Sequence, residues 1–354
     1  MIVWDASAAY RAESGEEDTA SKQLQQPRLP PLSTFESQPA DSLISSDTEW
    51  SEPTKLGSAI NSAQNEFEPV LSADGLTLLF HSNRPGGLGG NDIWMSVRSS
   101  RDDAWQPAIN LGSPINSPES DEAPCLSADG LMLFFASDRS NGNMNLWTSS
   151  RQSIDDDWTQ SVPLKYVNSS GSDVEPTLSA DGLTLLFAST RQPKFGIFDI
   201  WMSIRASTED MWSEPVHLDA GINSNSWQGS PSLSSDGSAL FFHSGNGPQI
   251  AGRATNHESF SSAKSLDPED QLGGVYSPCL TSDGKTLYYG LSGDAHHITT
   301  PAPDGSGGFR AMQSERRYAP HCRFPRAYWR FAHRARYPSR WIAAPQMLPA
   351  NRFL

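Results

Sequence analysis

The sequence predicts an all-β protein, a β-propeller with five recognisable four-stranded blades. One hairpin sequence recurs five times. Three copies are closely similar: "PVLSADGLTLLFHSNR" (69–84), "PCLSADGLMLFFASDR" (124–139) and "PTLSADGLTLLFASTR" (176–191). Two copies have diverged further: "PSLSSDGSALFFHSGN" (231–246) and "PCLTSDGKTLYYGLSG" (278–293). The glycines of the Asp-Gly pairs are 55, 52, 55 and 47 residues apart, near the length of a four-stranded blade. No segment has a convincing helical period.

The first two strands of each unit flank the Asp-Gly pair. In "TLLFAS", Leu185 and Phe187 share one face by the period of two, while Leu186 faces the other way. Asp-Gly between two such runs predicts a tight primed turn, because that turn needs positive φ. The aspartates are therefore predicted to form turns: Asp74, Asp129, Asp181, Asp236 and Asp283.

A third strand follows as "DIWMSVR" (92–98), "NLWTSSR" (145–151) and "DIWMSIR" (199–205). A fourth begins at a recurring aromatic residue, as in "WQPAINL" (105–111) and "WSEPVHL" (212–218). Such a meander is apolar on both faces and has open strand edges. Arranging several copies around an axis would bury these faces between neighbouring units and leave only short, protected edges.

The segment "WSEPTKL" (50–56) resembles a fourth strand but has no unit upstream. We expect it to complete the last blade and close a five-bladed ring. The alternative is a sixth blade built from residues 310–354.

Composition divides the chain into three parts. Residues 1–45 are polar and without period, which predicts a disordered arm, and residues 46–309 hold the propeller. Residues 310–354 carry ten Arg, no Lys and one Glu, so we expect a poorly ordered, atypical tail and place no site there.

Charge and composition limit the function classes. The net charge is −15, and without the tail it is −24, which argues against a nucleic-acid partner. Three cysteines are too few for a disulfide scaffold, and Cys125 and Cys279 are interpreted as small buried residues. No run is long enough to span a membrane, and no signal peptide is visible at the N-terminus.

The five repeats can be aligned, and the residues at one aligned position form a column. These columns resemble the repeat of a known family. "P-x-L-S-x-D-G" followed by "F-x-S-x-R" and "D-I-W" is similar to the TolB-type, WD40-like β-propeller repeat over about residues 50–300. The resemblance implies an interaction platform in the periplasm or cell envelope, with the cytoplasm left open. A TolB-like ring would have six blades.

Chain topology places the loops before each first strand and after each second strand on one face. That face carries six acids, predicted to form an acidic mouth that binds a basic peptide or a cation: Glu66, Glu68, Asp121, Glu122, Asp173 and Glu175. It also carries residues predicted to fasten loops or neighbouring blades through carboxylate contacts: Arg84, Arg139, Arg191, Asp92 and Asp199.

Other candidates have plainer interpretations. The glycines of "RPGGLGG" (84–90) could cradle a phosphate, but a flexible loop is favoured because no helix follows. The run Asp155–Asp157 lacks the ligand spacing of a calcium loop. His81 and His243 share a strand column and are expected to be packed, and His296 and His297 suggest a metal only weakly. No metal or cofactor is predicted.

No nucleophile–base pair can be assembled from the sequence. The prediction is therefore a monomeric, non-catalytic propeller that binds a protein or peptide at an acidic central mouth. The alternatives are a glycan-active lyase or hydrolase using the central channel, and a regulatory propeller of a larger enzyme.

Overall fold

The structure, a computed structural model, describes residues 54–299 apart from 141, 192–196, 220, 246, 255–257, 266–274, 282–285 and 292–293. The predicted arm, the Arg-rich tail, Cys322 and Asp283 lie outside the described residues. Within this part of the chain there is no helix that could cross a membrane.

Every element of the described chain is a strand. The strands are β1 (Thr54–Lys55), β2 (Glu66–Leu71), β3 (Thr77–Ser82), β4 (Asp92–Val97), β5 (Ile109–Asn110), β6 (Asp121–Leu126), β7 (Met132–Ser137), β8 (Asn145–Ser150), β9 (Val162–Pro163), β10 (Asp173–Leu178), β11 (Thr184–Ser189), β12 (Asp199–Ile204), β13 (Val216–His217), β14 (Gln228–Leu233), β15 (Ala239–Ser244), β16 (Gly247–Gly252), β17 (Lys264–Ser265), β18 (Val275–Leu280), β19 (Thr286–Leu291) and β20 (Asp294–Thr299).

These strands form antiparallel sheets of four. Sheet 1 is β2 to β5, sheet 2 is β6 to β9, sheet 3 is β10 to β13, and sheet 4 is β14 to β17. Sheet 5 contains β18, β19 and β20, with β1 as its fourth strand. Lys55 pairs with His296, so the N-terminal strand takes the outer place of the last sheet.

The first strands of the sheets stand side by side around an axis. β2 contacts β6, β6 contacts β10, β10 contacts β14, β14 contacts β18, and β18 returns to β2. Residues of all five first strands line one central cavity. The described chain is therefore an all-β ring of radial sheets, as the repeat predicts.

The apolar cores lie between neighbouring sheets. Leu79 and Ile93 of sheet 1 pack with Leu133 and Phe135 of sheet 2. On the other side of sheet 1, Leu78 and Phe80 pack with Tyr288 of sheet 5 and with Leu56, which follows β1. Each second strand therefore buries both faces, and this explains why "TLLF" is apolar without alternation.

The hairpin turn differs from the predicted primed turn. Gly75 N donates to Ser72 O at 2.8 Å, and Asp74 Oδ1 accepts from Leu76 N at 2.9 Å. In this turn Gly75 has φ of 74°, whereas Asp74 is not among the residues with positive φ. The turn is thus longer than two residues, and glycine alone takes the left-handed conformation. Asp129, Asp181 and Asp236 repeat these contacts.

Candidate functional site: the axial mouth

Each first strand is interrupted by a bulge at its proline. Phe67 pairs with His81 and Val70 pairs with Leu79, so two residues of β2 oppose one residue of β3. The residue before each proline has a positive φ: Glu68 (53°), Ala123 (53°), Glu175 (55°), Ser230 (49°) and Ser277 (50°). A non-glycine residue adopts this conformation at a cost, and bulges of this kind re-aim a side chain. All five residues line the central cavity.

The cavity has a volume of about 160 Å³. Its wall repeats one segment of the first strands, which is four residues long in sheets 1 to 4, as in Glu68–Leu71 and Glu175–Leu178, and comprises residues 277–279 in sheet 5. This volume is enough for several water molecules or one polar side chain of a ligand. Cys125 and Cys279 belong to the wall, and both are free thiols. Burial raises the pKa of Cys125 to about 12, so this thiol is inert.

At the mouth of the cavity, His81 links sheets 1 and 2. His81 is 2% exposed, and its Nδ1 accepts a hydrogen bond from Ala123 N at 3.2 Å. The neutral imidazole therefore carries its proton on Nε2. Glu68 Oε2 lies 3.2 Å from the same Nδ1, so an acid of sheet 1 stands directly against this imidazole.

Glu175 reaches the mouth from sheet 3. Its Oε2 accepts from Ser230 N of sheet 4 at 2.6 Å, and its Oε1 lies 3.4 Å from Ser230 Oγ. Burial and, after it, the negative charge of Glu68 together raise the pKa of Glu175 to about 8. Two carboxyls from sheets 1 and 3 thus line the same central cavity, and the charge of Glu68 opposes ionisation of Glu175.

Glu122 is the third acid at this place. Its Oε1 accepts from Asn91 Nδ2 of sheet 1 at 2.7 Å. Burial raises the pKa of Glu122, while the imidazole of His81 acts in the opposite direction. We use "the mouth" below for Glu68, Glu122 and Glu175 together with His81 and Ser230.

The other three predicted mouth acids do not belong to this surface. Glu66, Asp121 and Asp173 have no exposed area. Glu66 accepts from Ser62 Oγ at 2.6 Å and lies 3.0 Å from Arg84 Nη2, and Asp173 lies 2.6 Å from Arg191 Nη2. Asp121 forms the same pair with Arg139. We therefore correct the predicted mouth, because a fully buried, paired carboxylate is not available to a ligand.

The three arginines make more contacts than a carboxylate pair. Arg191 Nη2 also donates to Val167 O at 2.7 Å, and its guanidinium lies 5.0 Å from the Phe187 and Trp201 ring centroids. Arg84 and Arg139 repeat this arrangement. Each arginine therefore holds the loop before its first strand in place.

Sheet 4 lacks the arginine, the acid and the tryptophan of this arrangement. The columns of Arg191, Asp173 and Trp201 hold Asn246, Gln228 and Gln249 there. Because the three residues are replaced together, the arginine, acid and tryptophan act as one packing unit.

Asp92 and Asp199 begin third strands and contact groups of their own sheets. Asp92 Oδ2 accepts from Leu88 N at 2.5 Å and Asn110 Nδ2 at 3.2 Å. Asp199 Oδ2 lies 2.8 Å from His217 Nε2. Both carboxylates hold parts of their own sheets.

The "RPGGLGG" loop is a packed connection. Gly90 N donates to Glu119 O of the next unit at 3.1 Å. A Cβ on Gly87 would lie 1.8 Å from Asp92 Oδ2, and one on Gly89 would lie 1.8 Å from Glu119 O. Close packing therefore explains these glycines, and the loop binds sheet 1 to sheet 2. Among the described residues no group of three metal-ligating side chains is arranged to hold an ion.

Sequence reasoning missed two structural columns. Arg98 at the end of β4 lies 4.4 Å from the Trp105 ring centroid and donates to Gly75 O at 2.9 Å, so it ties the fourth strand to the hairpin turn. Asn116 binds both Ile93 N (2.8 Å) and Ile93 O (2.9 Å), and so joins sheets 1 and 2. Both columns could have been found because they recur in the sequence. Arg98 is followed at equivalent positions by Arg151, Arg205 and Arg253, and Asn116 by Asn168 and Asn223.

Comparison with known proteins agrees on the fold. A thermostable family-43 glycoside hydrolase is 13% identical, with a TM-score of 0.50 over 75% of this chain and 100% of that protein. The chain is a β-propeller. Structural neighbours also include TolB from Acinetobacter baumannii, 18% identical with a TM-score of 0.44 over 71% of this chain and 57% of that chain. A putative TolB from Agrobacterium tumefaciens is 15% identical, with a TM-score of 0.44 over 65% of this chain and 71% of that chain.

These similarities concern the fold alone. No protein-family model matches the propeller. A 26-residue stretch is 69% identical to 3-oxoacyl-[acyl-carrier-protein] synthase 2 of Staphylococcus aureus. That stretch is 7% of this chain, and it spans 6% of the synthase. A match of that length shows no family relationship.

Proposed function

We propose that the protein is a non-catalytic binding module whose mouth receives a cationic group of a protein or peptide. The observation that supports this is the position of the Glu68 and Glu175 carboxyls on the wall of one central cavity, where the charge of Glu68 opposes ionisation of Glu175. Two such groups in a buried place resist ionising together. A bound ammonium or guanidinium would allow both to ionise and would satisfy both charges.

The ring that carries the mouth is, in this proposal, five-bladed and closed by β1. The pairing of β1 with β20 and the contact of β18 with β2 support this closure. We further propose a monomer whose propeller domain spans residues 46–309. The charge of −24 outside the Arg-rich tail would attract a basic partner and speed its association.

The experiment titrates octalysine into the full chain by calorimetry at 50 and 500 mM NaCl, roughly half and five times the ionic strength at which screening acts over ~10 Å. We expect tighter binding at low salt and loss of binding in the double variant Glu68→Gln/Glu175→Gln. The matched control is Asp102→Asn/Asp103→Asn, which removes two exposed charges from the opposite face. Binding that is insensitive to salt and to the mouth variant, or no binding at all, would overturn the proposal.

A glycan-active enzyme is the second candidate. The raised pKa of Glu175, about 8, favours it because a general acid must hold its proton at neutral pH. Release of reducing sugar from a panel of polysaccharides, abolished by Glu175→Gln, would favour the enzyme over the binding module.

A further inference from the structure

The rim of the mouth on sheet 4 carries a tryptophan that the repeat does not explain. Trp227 precedes β14 and is half-buried. Its ring stacks on His243, with centroids 5.0 Å apart and planes at 14°. Burial lowers the pKa of His243 to about 4, so the stacked imidazole is neutral at physiological pH and does not repel a cation near the indole.

Gly229 brings this indole beside the mouth acid. A Cβ on Gly229 would lie 2.6 Å from Glu175 Oε2 and 3.4 Å from Trp227 Cζ3. The missing side chain is therefore what allows the carboxyl and the indole edge to lie next to each other. The same column holds Phe67, Glu122 and Val174 in sheets 1 to 3, so this arrangement belongs to sheet 4.

The loop that follows the second strand is also different here. Ser244 pairs with Gly247, so only residues 245 and 246 connect β15 to β16. In sheet 1 the corresponding connection, 83–91, is nine residues long and reaches the next sheet. A two-residue connection is too short to reach the next sheet as the connection of sheet 1 does, and Trp227 is half-buried rather than buried.

The chain itself shows what such a pair of groups binds. Arg84 places its guanidinium 5.1 Å from the Trp94 ring centroid while Nη2 lies 3.0 Å from Glu66. The column of this arginine holds Asn246 in sheet 4. An indole beside a carboxyl is thus a guanidinium-binding arrangement within this fold.

We propose that Trp227 and Glu175 form a subsite for an arginine side chain of the protein or peptide partner. The guanidinium would stack on the indole and donate hydrogen bonds to the carboxyl, which has lone pairs beyond those used by Ser230. Arginine is favoured over lysine because its planar group can do both at once. This inference rests on the proposed function and names the chemistry of its ligand.

The test compares octaarginine with octalysine by calorimetry on the full chain. We expect octaarginine to bind roughly two- to fivefold more tightly, as a stacked cation at an exposed site does. Trp227→Leu should weaken octaarginine more than octalysine and so remove that preference, and Trp227→Phe should keep part of it. Tyr166→Leu, an exposed aromatic residue elsewhere, is the matched control.

A second variant guards against a folding defect in Trp227→Leu. Gly229→Ala would put its methyl group against Glu175 Oε2 and move the carboxyl from the indole, so it too should lower the arginine preference. Equal binding of both peptides that neither variant alters would overturn the subsite and leave the proposed function intact. If neither peptide binds, both proposals fail.

Discussion

The amide of Ala123 donates to Nδ1 of His81 over 3.2 Å, and this hydrogen bond joins sheet 2 to sheet 1. Because both groups are buried, removing the acceptor leaves the amide without a partner at a cost of about 1–3 kcal/mol. We expect His81→Leu to lose about this much unfolding free energy in urea, and His81→Asn to lose less. A His81→Leu protein as stable as the wild type would contradict the assignment.

The same bond predicts a pH dependence. Burial lowers the pKa of His81 below its ordinary value of 6.5, so the unfolded chain takes up a proton more readily than the folded chain. This contribution to stability is therefore lost as the pH falls through about 6.5. Between pH 7 and 5, the wild type should lose more stability than His81→Asn. Parallel losses in the two proteins would be inconsistent with a neutral, buried His81.

Glu175 predicts the opposite trend. Its pKa is raised to about 8 in the folded protein, so the folded chain holds this proton where the unfolded chain has released it. The stabilisation is complete below the ordinary value of 4.5 and is lost as the pH rises through about 8. Glu175→Gln should therefore melt above the wild type at pH 9 by about 2–5 °C, with a smaller gap at pH 5. A gap independent of pH would exclude the buried carboxyl pair.

The pair of Arg139 and Asp121 predicts a compensating double variant. Arg139→Asn leaves the fully buried Asp121 without its cation, which should cost about 3–5 kcal/mol in urea unfolding. Adding Asp121→Gln recreates the residues that sheet 4 uses, so we expect at least half of the loss to be recovered. Additive losses from the two substitutions would show that the set is not one packing unit.

Leu56 tests the closure of the ring. It follows β1 and is 6% exposed in the core between sheets 5 and 1, whereas Leu164 is 8% exposed at the matching place after β9. Leu56→Ala and Leu164→Ala should each cost about 2–5 kcal/mol in urea unfolding. If Leu56→Ala is neutral while Leu164→Ala is not, the N-terminal strand does not close the ring.

Much of the site could be read only in part from the sequence. The repeat predicts that the acids lie on one face of the ring, but acids close together in the sequence have different surroundings in the structure. Glu66 is buried against Arg84, whereas Glu68, two residues later, lies at the axis. Strand alternation puts such residues on one side, so it could not separate them. The bulge at Pro69 places Glu66 and Glu68 in different surroundings, and the only sign of that bulge in the sequence is the recurring proline.

Local sequence determined the strands, the Asp-Gly turns and the sheets, because alternation, turn propensity and recurrence act over a few residues. It also determined that the units must cover each other, since Leu78 and Leu79 are both apolar. Tertiary structure decided which groups meet at the axis. Glu68, Ala123, Glu175 and Ser230 come from four units about fifty residues apart, and only the packing of the first strands around the axis brings them together. Their protonation follows from that meeting, because burial and neighbouring charge have no counterpart in the linear chain.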